Sequence, residues 1–137
     1  MFTNPPPEEC RALLKKVRNI AVVGLSPNPG RPSYFVSKTM QGFGFNIIPV
    51  RPATVEVLGQ KAYPSLSDVP VPIDLVNVFR AAEFLDVIVD ECIALKIPAL
   101  WIQEGIVNEI AALRAREAGM TVVMDRCIYK DYVSLCS

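Results

Sequence analysis

Residues 19–33 read Asn-Ile-Ala-Val-Val-Gly-Leu-Ser-Pro-Asn-Pro-Gly-Arg-Pro-Ser. The apolar run Ile20 to Val23 has the pattern of a short buried strand. It stops at Gly24, a loop of turn formers follows, and a helical pattern begins near Ser33. A strand, a small-residue loop and a helix N-terminus in that order present backbone N–H groups without intrahelical partners, which suits a phosphate. The loop is not the dinucleotide fingerprint G-x-G-x-x-G; it runs Gly24-x-Ser26-x-x-x-Gly30-Arg31. Ser26 offers a hydroxyl donor, and Arg31 a permanently charged fork that matches phosphate oxygens. The competing reading is an ordinary βα connection that holds no ligand.

The alternation continues on both sides of this stretch. Upstream, Pro5 to Pro7 can open a helix capped by Asn4 or Thr3, with Cys10, Leu13, Leu14 and Val17 on one face. Lys15, Lys16 and Arg18 near its end read as a solvated face that the helix dipole prefers. Downstream, Val36, Met40 and Phe43 share a helical face, and Gly42 and Gly44 stop that helix. Tyr34 and Phe35 read as packing residues. Further strands are expected over 45–50, 73–79, 98–102 and 120–124, with a short edge strand within 57–63 and Asp74 and Asn77 at strand edges or ladder ends. Helices are expected over 83–95 with Phe84, Ile88, Cys92 and Leu95 inward, over 106–118 with Ile106, Ile110 and Leu113 inward, and over the tail 128–135. Nearly continuous apolar strands alternating with helices are the pattern of a parallel sheet covered on both faces. With right-handed crossovers, the expected fold is one α/β domain over residues 1–137: a Rossmann-like doubly wound, mainly parallel sheet of five or six strands.

Composition narrows the chemistry. At 137 residues and 51% apolar content the chain can bury a real core in one domain. Fourteen basic and fourteen acidic residues cancel, which argues against general nucleic-acid or anionic-membrane binding. The absence of histidine excludes a Ser-His-Asp triad, imidazole acid–base catalysis, histidine metal ligation and a phosphohistidine. Cys10, Cys92, Cys127 and Cys136 show no C-x-x-C spacing, so no zinc or other metal site is expected. The opening residues lack the basic and apolar regions of a signal peptide, and no run reaches the length of a membrane span. A cytoplasmic protein with reduced thiols is the expectation.

In a doubly wound sheet the ligand lies outside the carboxyl ends of the strands, where strand order reverses. The polar residues gather there: Gly24-Leu25-Ser26, Arg51-Pro52, Phe79-Arg80, Gln103-Glu104-Gly105 and Asp125-Arg126-Cys127. Arginines after three strands, with Arg31 in the first loop, point to a polyanion; solvated loop arginines are the alternative. Arg51 stands where an NAD site presents an acidic residue for the ribose hydroxyls. An arginine there suits a ribose that carries a phosphate, as in NADP or coenzyme A.

Six pieces resemble a known family: Val-Val-Gly-Leu-Ser at 22–26, Arg31-Pro32-Ser33, Ile-Ile-Pro-Val at 47–50, Val-Phe-Arg at 78–80, Leu-Trp-Ile-Gln at 100–103 with Gly105, and Met-Asp-Arg-Cys at 124–127. In this order they resemble the small stand-alone CoA-binding proteins, which are similar to the N-terminal domain of the succinyl-CoA synthetase α subunit. The resemblance covers roughly residues 8–132. It implies CoA or an acyl-CoA laid across the strand ends. Gly24, Leu25, Ser26, Pro27, Arg31 and Ser33 would hold the pyrophosphate, and Val50, Arg51 and Pro52 would meet the ribose phosphate and adenine. Phe79 and Arg80 would form the next wall, and Gln103, Glu104 and Gly105 would border the pantetheine path. The family commonly has Asn-Pro where this chain has Arg51-Pro52, which keeps NADP open as the alternative cofactor. Succinyl-CoA synthetase uses a phosphohistidine carried outside this domain, so a chain without histidine does not perform that reaction alone.

No catalytic constellation stands out. Glu104 lacks a partner at usable spacing, and Trp101 reads as core. Cys127 is the one candidate nucleophile: it follows Asp125 and Arg126 at the mouth of the expected cleft, and a nearby cation favours a thiolate. Its competing reading is a small buried hydrophobe. The sequence therefore points to a carrier, sensor or regulatory module, with a protein partner or homo-oligomer left open. An NADP-dependent oxidoreductase-like module is the first alternative and a ligand-free interaction protein the second.

Overall fold

A computed structural model describes residues 1–136. The chain runs α1 (Pro7–Lys16), β1 (Asn19–Val23), α2 (Pro32–Gly42), β2 (Asn46–Val50), β3 (Glu56–Val57), β4 (Gln60–Lys61), β5 (Leu75–Val78), α3 (Leu85–Ala94), β6 (Ala99–Ile102), α4 (Glu109–Glu117), β7 (Thr121–Met124) and α5 (Ile128–Cys136). Five strands form one parallel sheet in the order β2-β1-β5-β6-β7. The chain leaves β1 for β2 on one side and returns to β5 on the other, so strand order reverses at β1. This is a doubly wound, Rossmann-like arrangement.

Side-chain alternation along the strands builds two cores. Ile20, Val22, Leu75, Trp101 and Val123 pack under α1, α2 and α5 with Leu14, Met40 and Ile128. Ala21, Val76, Val78, Leu100 and Val122 pack under α3 and α4. Every residue of β5 and β6 is buried, as a strand covered on both faces requires.

Several expectations are corrected. The short strand expected within 57–63 is a separate antiparallel hairpin, β3–β4. Beyond it, Tyr63 makes a single parallel bridge to Val50 and adds no sixth strand. Asn4 does not cap α1, whose N-cap is Pro6 without a side-chain bond. Instead its carboxamide accepts from the Met124 amide at 2.8 Å and donates to the Met124 carbonyl at 2.9 Å. β7 is an edge strand whose backbone groups need partners, and Asn4 supplies them.

Helix α3 buries Leu85, Ile88, Val89 and Cys92, while Phe84 and Leu95 are about two-fifths exposed at 42% and 41%. In α4 the buried residues are Ala111, Ala112 and Ala115, and Ile110 is exposed. That helix starts at Glu109, where Asn108 Oδ1 accepts from the Ala111 amide at 3.0 Å. The later start puts the small side chains against the sheet, so close approach takes precedence over the spacing of the larger apolar residues. Asp74 does stand at a strand start, accepting from the amides of Arg18 and Asn19. Asn77 is not at an edge: it lies buried in β5 between Val22 and Trp101.

Candidate functional site

Sheet register brings the strand ends to one level. Val23 pairs with both Val50 and Val78, and Ile102 pairs with Val78 and Met124. The next residues, Gly24, Arg51, Phe79, Gln103 and Asp125, therefore leave the sheet in one row. A cleft of about 720 Å³ opens above the β1 switch point, lined by four of these five.

Gly24 makes the first turn possible. Its φ of +87° lies in the left-handed region, its amide donates to the Val50 carbonyl at 3.0 Å, and a Cβ there would meet backbone. The loop beyond is held by its own side chains. Ser33 Oγ accepts from the Ser26 amide at 3.0 Å, Ser26 Oγ from the Asn28 amide at 3.1 Å, and Asn28 Oδ1 from the Gly30 amide at 2.9 Å. This corrects the expectation of open loop amides. Both hydroxyls accept, so each retains its own O–H proton to donate. At the start of α2, Pro32 has no N–H, and the Ser33 amide has no partner among the described residues. The Ser26 and Ser33 hydroxyls, the Ser33 amide and the Arg31 guanidinium thus remain as donors on residues that line the cleft.

Arg31, Arg51 and Arg80 line the cleft. Among the described residues none of the three has a carboxylate partner, because the ion pairs engage Arg114, Arg126 and Lys130. The Arg51 amide is fixed by the Tyr63 carbonyl at 2.8 Å. The Arg80 guanidinium lies 4.0 Å from the Phe84 ring centroid, a cation–π contact. Arg126 is a correction: it does not line the cleft and is not a third strand-end cation for a ligand. Its Nε lies 2.9 Å from Asp131 Oδ2, and its second nitrogen donates to Oδ1 at 2.9 Å. Asp131 is buried, and its charge demands that partner. Bonding to Asp131 raises the Arg126 pKa above its ordinary value. With its guanidinium committed, Arg126 is not the cation expected to serve Cys127.

The other wall comes from β6 and the start of α5. Gln103 Oε1 accepts from the Ile128 amide at 3.1 Å, which leaves its Nε2 without a protein partner among the described residues. Glu104 receives Lys130 Nζ at 3.1 Å. That bond, with smaller contributions including one from Cys127, holds the Lys130 ammonium above its ordinary pKa. Cys127 lines the cleft and is buried.

Gly24, Ser26, Pro27, Arg31, Ser33, Arg51, Phe79, Arg80, Gln103 and Glu104 thus share one wall-to-wall space with Cys127. Leu25 and Val50 lie in the core and are not among the lining residues, because the chain has only begun to leave the sheet there. Pro52 and Gly105 are exposed but stand outside the cleft wall. Asn28 and Pro32 line the cleft within the expected Gly24–Ser33 loop without having been singled out, and Val36, Ala81 and Ile106 were missed. Asn28 was legible as a side chain able to bond its own loop; the apolar ones carry no signal separate from packing. Among the described residues no set of three His, Cys, Asp or Glu could hold a metal. No helix of the described residues is long and apolar enough to cross a membrane.

Fold and cleft together define a doubly wound parallel α/β domain with a cation-lined cleft at its switch point. The sequence matches the CoA binding domain family over residues 18–132, and the chain belongs to that family. The resemblance read from its six short pieces therefore holds. The uncharacterized protein YneT of Bacillus subtilis (strain 168) is 47% identical over 125 residues, covering 91% of this chain and 93% of that protein. An ADP-forming acetate–CoA ligase I of Archaeoglobus fulgidus is 32% identical over 73 residues, which are 53% of this chain and 11% of the ligase. A solved structure of a hypothetical protein from Pyrococcus horikoshii OT3 has a TM-score of 0.93 at 33% identity, covering 100% of this chain and 99% of that one.

Proposed function

We propose that this chain binds coenzyme A or an acyl-CoA across the carboxyl ends of its strands, as a non-catalytic carrier, sensor or regulatory module of the cytoplasm. The pyrophosphate rests on the Gly24–Ser33 loop, Arg51 takes the ribose phosphate, and Gln103 and Glu104 border the pantetheine arm. One observation carries the reading: three arginines without carboxylate partners among the described residues, Arg31, Arg51 and Arg80, share a cleft with Ser26 and Ser33 at the switch point. Unpaired guanidinium groups repel one another, and a polyanion relieves that repulsion while accepting their donors. Family membership and the ligase relative, whose name includes CoA, support the same ligand.

Thermal denaturation with CoA, acetyl-CoA, NADP and NAD tests the reading. A ligand at roughly 100 times its Kd adds about 2.7 kcal/mol to the folded state. CoA and acetyl-CoA are expected to raise the melting temperature and NAD to leave it unchanged. Stabilisation by NADP and not by CoA would reverse the assignment to an oxidoreductase-like module. No shift with any of the four would favour a ligand-free interaction protein.

A further inference from the structure

We propose that Cys127 is a thiol–disulfide exchange site that captures the sulfur end of a CoA-containing disulfide, so that the domain can hold CoA covalently. The inference rests on the CoA reading above and concerns the far end of the same ligand.

Cys127 lines the cleft that Arg31, Arg51 and Arg80 also line, yet it is only 7% exposed. What exposure Cys127 has is therefore assigned to the cleft and not to open surface. Gln103 supplies a second, independent sign of a ligand there. It is 4% exposed and lines the same cleft. Its Oε1 is occupied by the Ile128 amide, while its Nε2 protons have no acceptor among the described residues. That amide group is open to the cleft rather than sealed in the core, and an amide carbonyl of a pantetheine arm is an acceptor suited to it. Ile106 adds an apolar surface for the methylenes of that arm.

The remaining thiols set up a clear contrast. Cys10 and Cys92 are 1% and 0% exposed and line no part of this cleft. Burial pushes both thiols up, Cys92 to about 12. Cys136 is half-buried on the far part of α5, near the Arg11 carbonyl. If accessibility alone decided reactivity, Cys136 would react first. If the cleft delivers the disulfide, Cys127 reacts first despite its burial.

The exchange balances without any further oxidant. Cys127 Sγ attacks the CoA-side sulfur of CoA–S–S–R. The bond between Cys127 Sγ and the CoA sulfur forms, the S–S bond of the reagent breaks, and the outer sulfur leaves with R still attached, as R–SH carrying the proton that Cys127 gives up.

Mass spectrometry with peptide mapping tests this on the full chain, using symmetric CoA disulfide and, as control, glutathione disulfide. The expected result is one CoA adduct on Cys127, formed faster than the glutathione adduct. It should be lost in Cys127→Ser, retained in Cys136→Ser and slowed in Arg51→Glu. Mapping the wild-type adduct keeps the test decisive even if Cys127→Ser fails to fold. An adduct on Cys136, or equal rates with both disulfides, overturns the proposal. No adduct while reduced CoA still raises the melting temperature overturns covalent capture alone and leaves the CoA site standing. Neither adduct nor stabilisation overturns both.

Discussion

A Cβ placed on Gly24 would lie 2.7 Å from the carbonyl oxygen of Phe79 and 3.0 Å from Cδ of Arg80. β1 and β5 therefore converge at the switch point closely enough that the stem of a cleft arginine crosses bare backbone. Gly24 links the fold to the site: the same missing side chain permits the turn and seats Arg80.

Gly24→Ala should therefore cost both stability and affinity. The new methyl meets backbone, and the +87° φ strains any other residue. The expected loss is about 1–3 kcal/mol, read by urea denaturation. CoA affinity should fall further than folding alone explains, because Arg80 is displaced. Unchanged stability would show that the two strands can separate at no cost.

Arg51→Glu and Arg126→Ala should separate the ligand from the scaffold. Arg51→Glu is expected to weaken CoA more than dephospho-CoA and to leave the melting temperature of the free protein nearly unchanged. Arg126→Ala is expected to leave affinity intact and to destabilise the fold by on the order of 1–3 kcal/mol, because it strands the buried Asp131 carboxylate. Calorimetric titration beside thermal melts reads both. Equal losses of CoA and dephospho-CoA in Arg51→Glu would show that Arg51 does not read the ribose phosphate.

Alkaline stability should carry the signature of Cys92. Burial, with a lesser effect of Glu91, pushes this thiol from an ordinary 9.0 up to about 12. The unfolded chain releases the proton first, so the stabilisation is complete below pH 9.0. It is lost as the pH rises from there to about 12, at about 1.4 kcal/mol per pH unit. Cys92→Ala should start lower at neutral pH, from the cavity it leaves, and show a shallower decline above pH 9.0. Parallel slopes for the two proteins in urea melts would contradict this account.

Much of the fold was legible because the strand runs are apolar on both faces and are punctuated by Gly24, Gly44 and Gly119. The switch-point loop was legible for the same reason. What escaped was set by long-range partners. Arg126 reads like Arg51 and Arg80 in sequence, and only the turn of α5 that brings Asp131 against it removes it from the cleft. Asn4 looks like a cap until the unpaired edge of β7 claims it. Ile110 fits a helical stripe with Leu113, yet the alanines of α4 allow the closer approach to the sheet. The open-amide picture of the loop failed because Ser26, Asn28 and Ser33 each bond within it.

The most direct test is a crystal structure of the protein grown with CoA. The account predicts the pyrophosphate within hydrogen-bond reach of Ser26, Arg31 and Ser33, the ribose phosphate at Arg51, and the thiol end beside Gln103 and Cys127. CoA bound elsewhere on the molecule, with that cleft filled only by solvent, would contradict it.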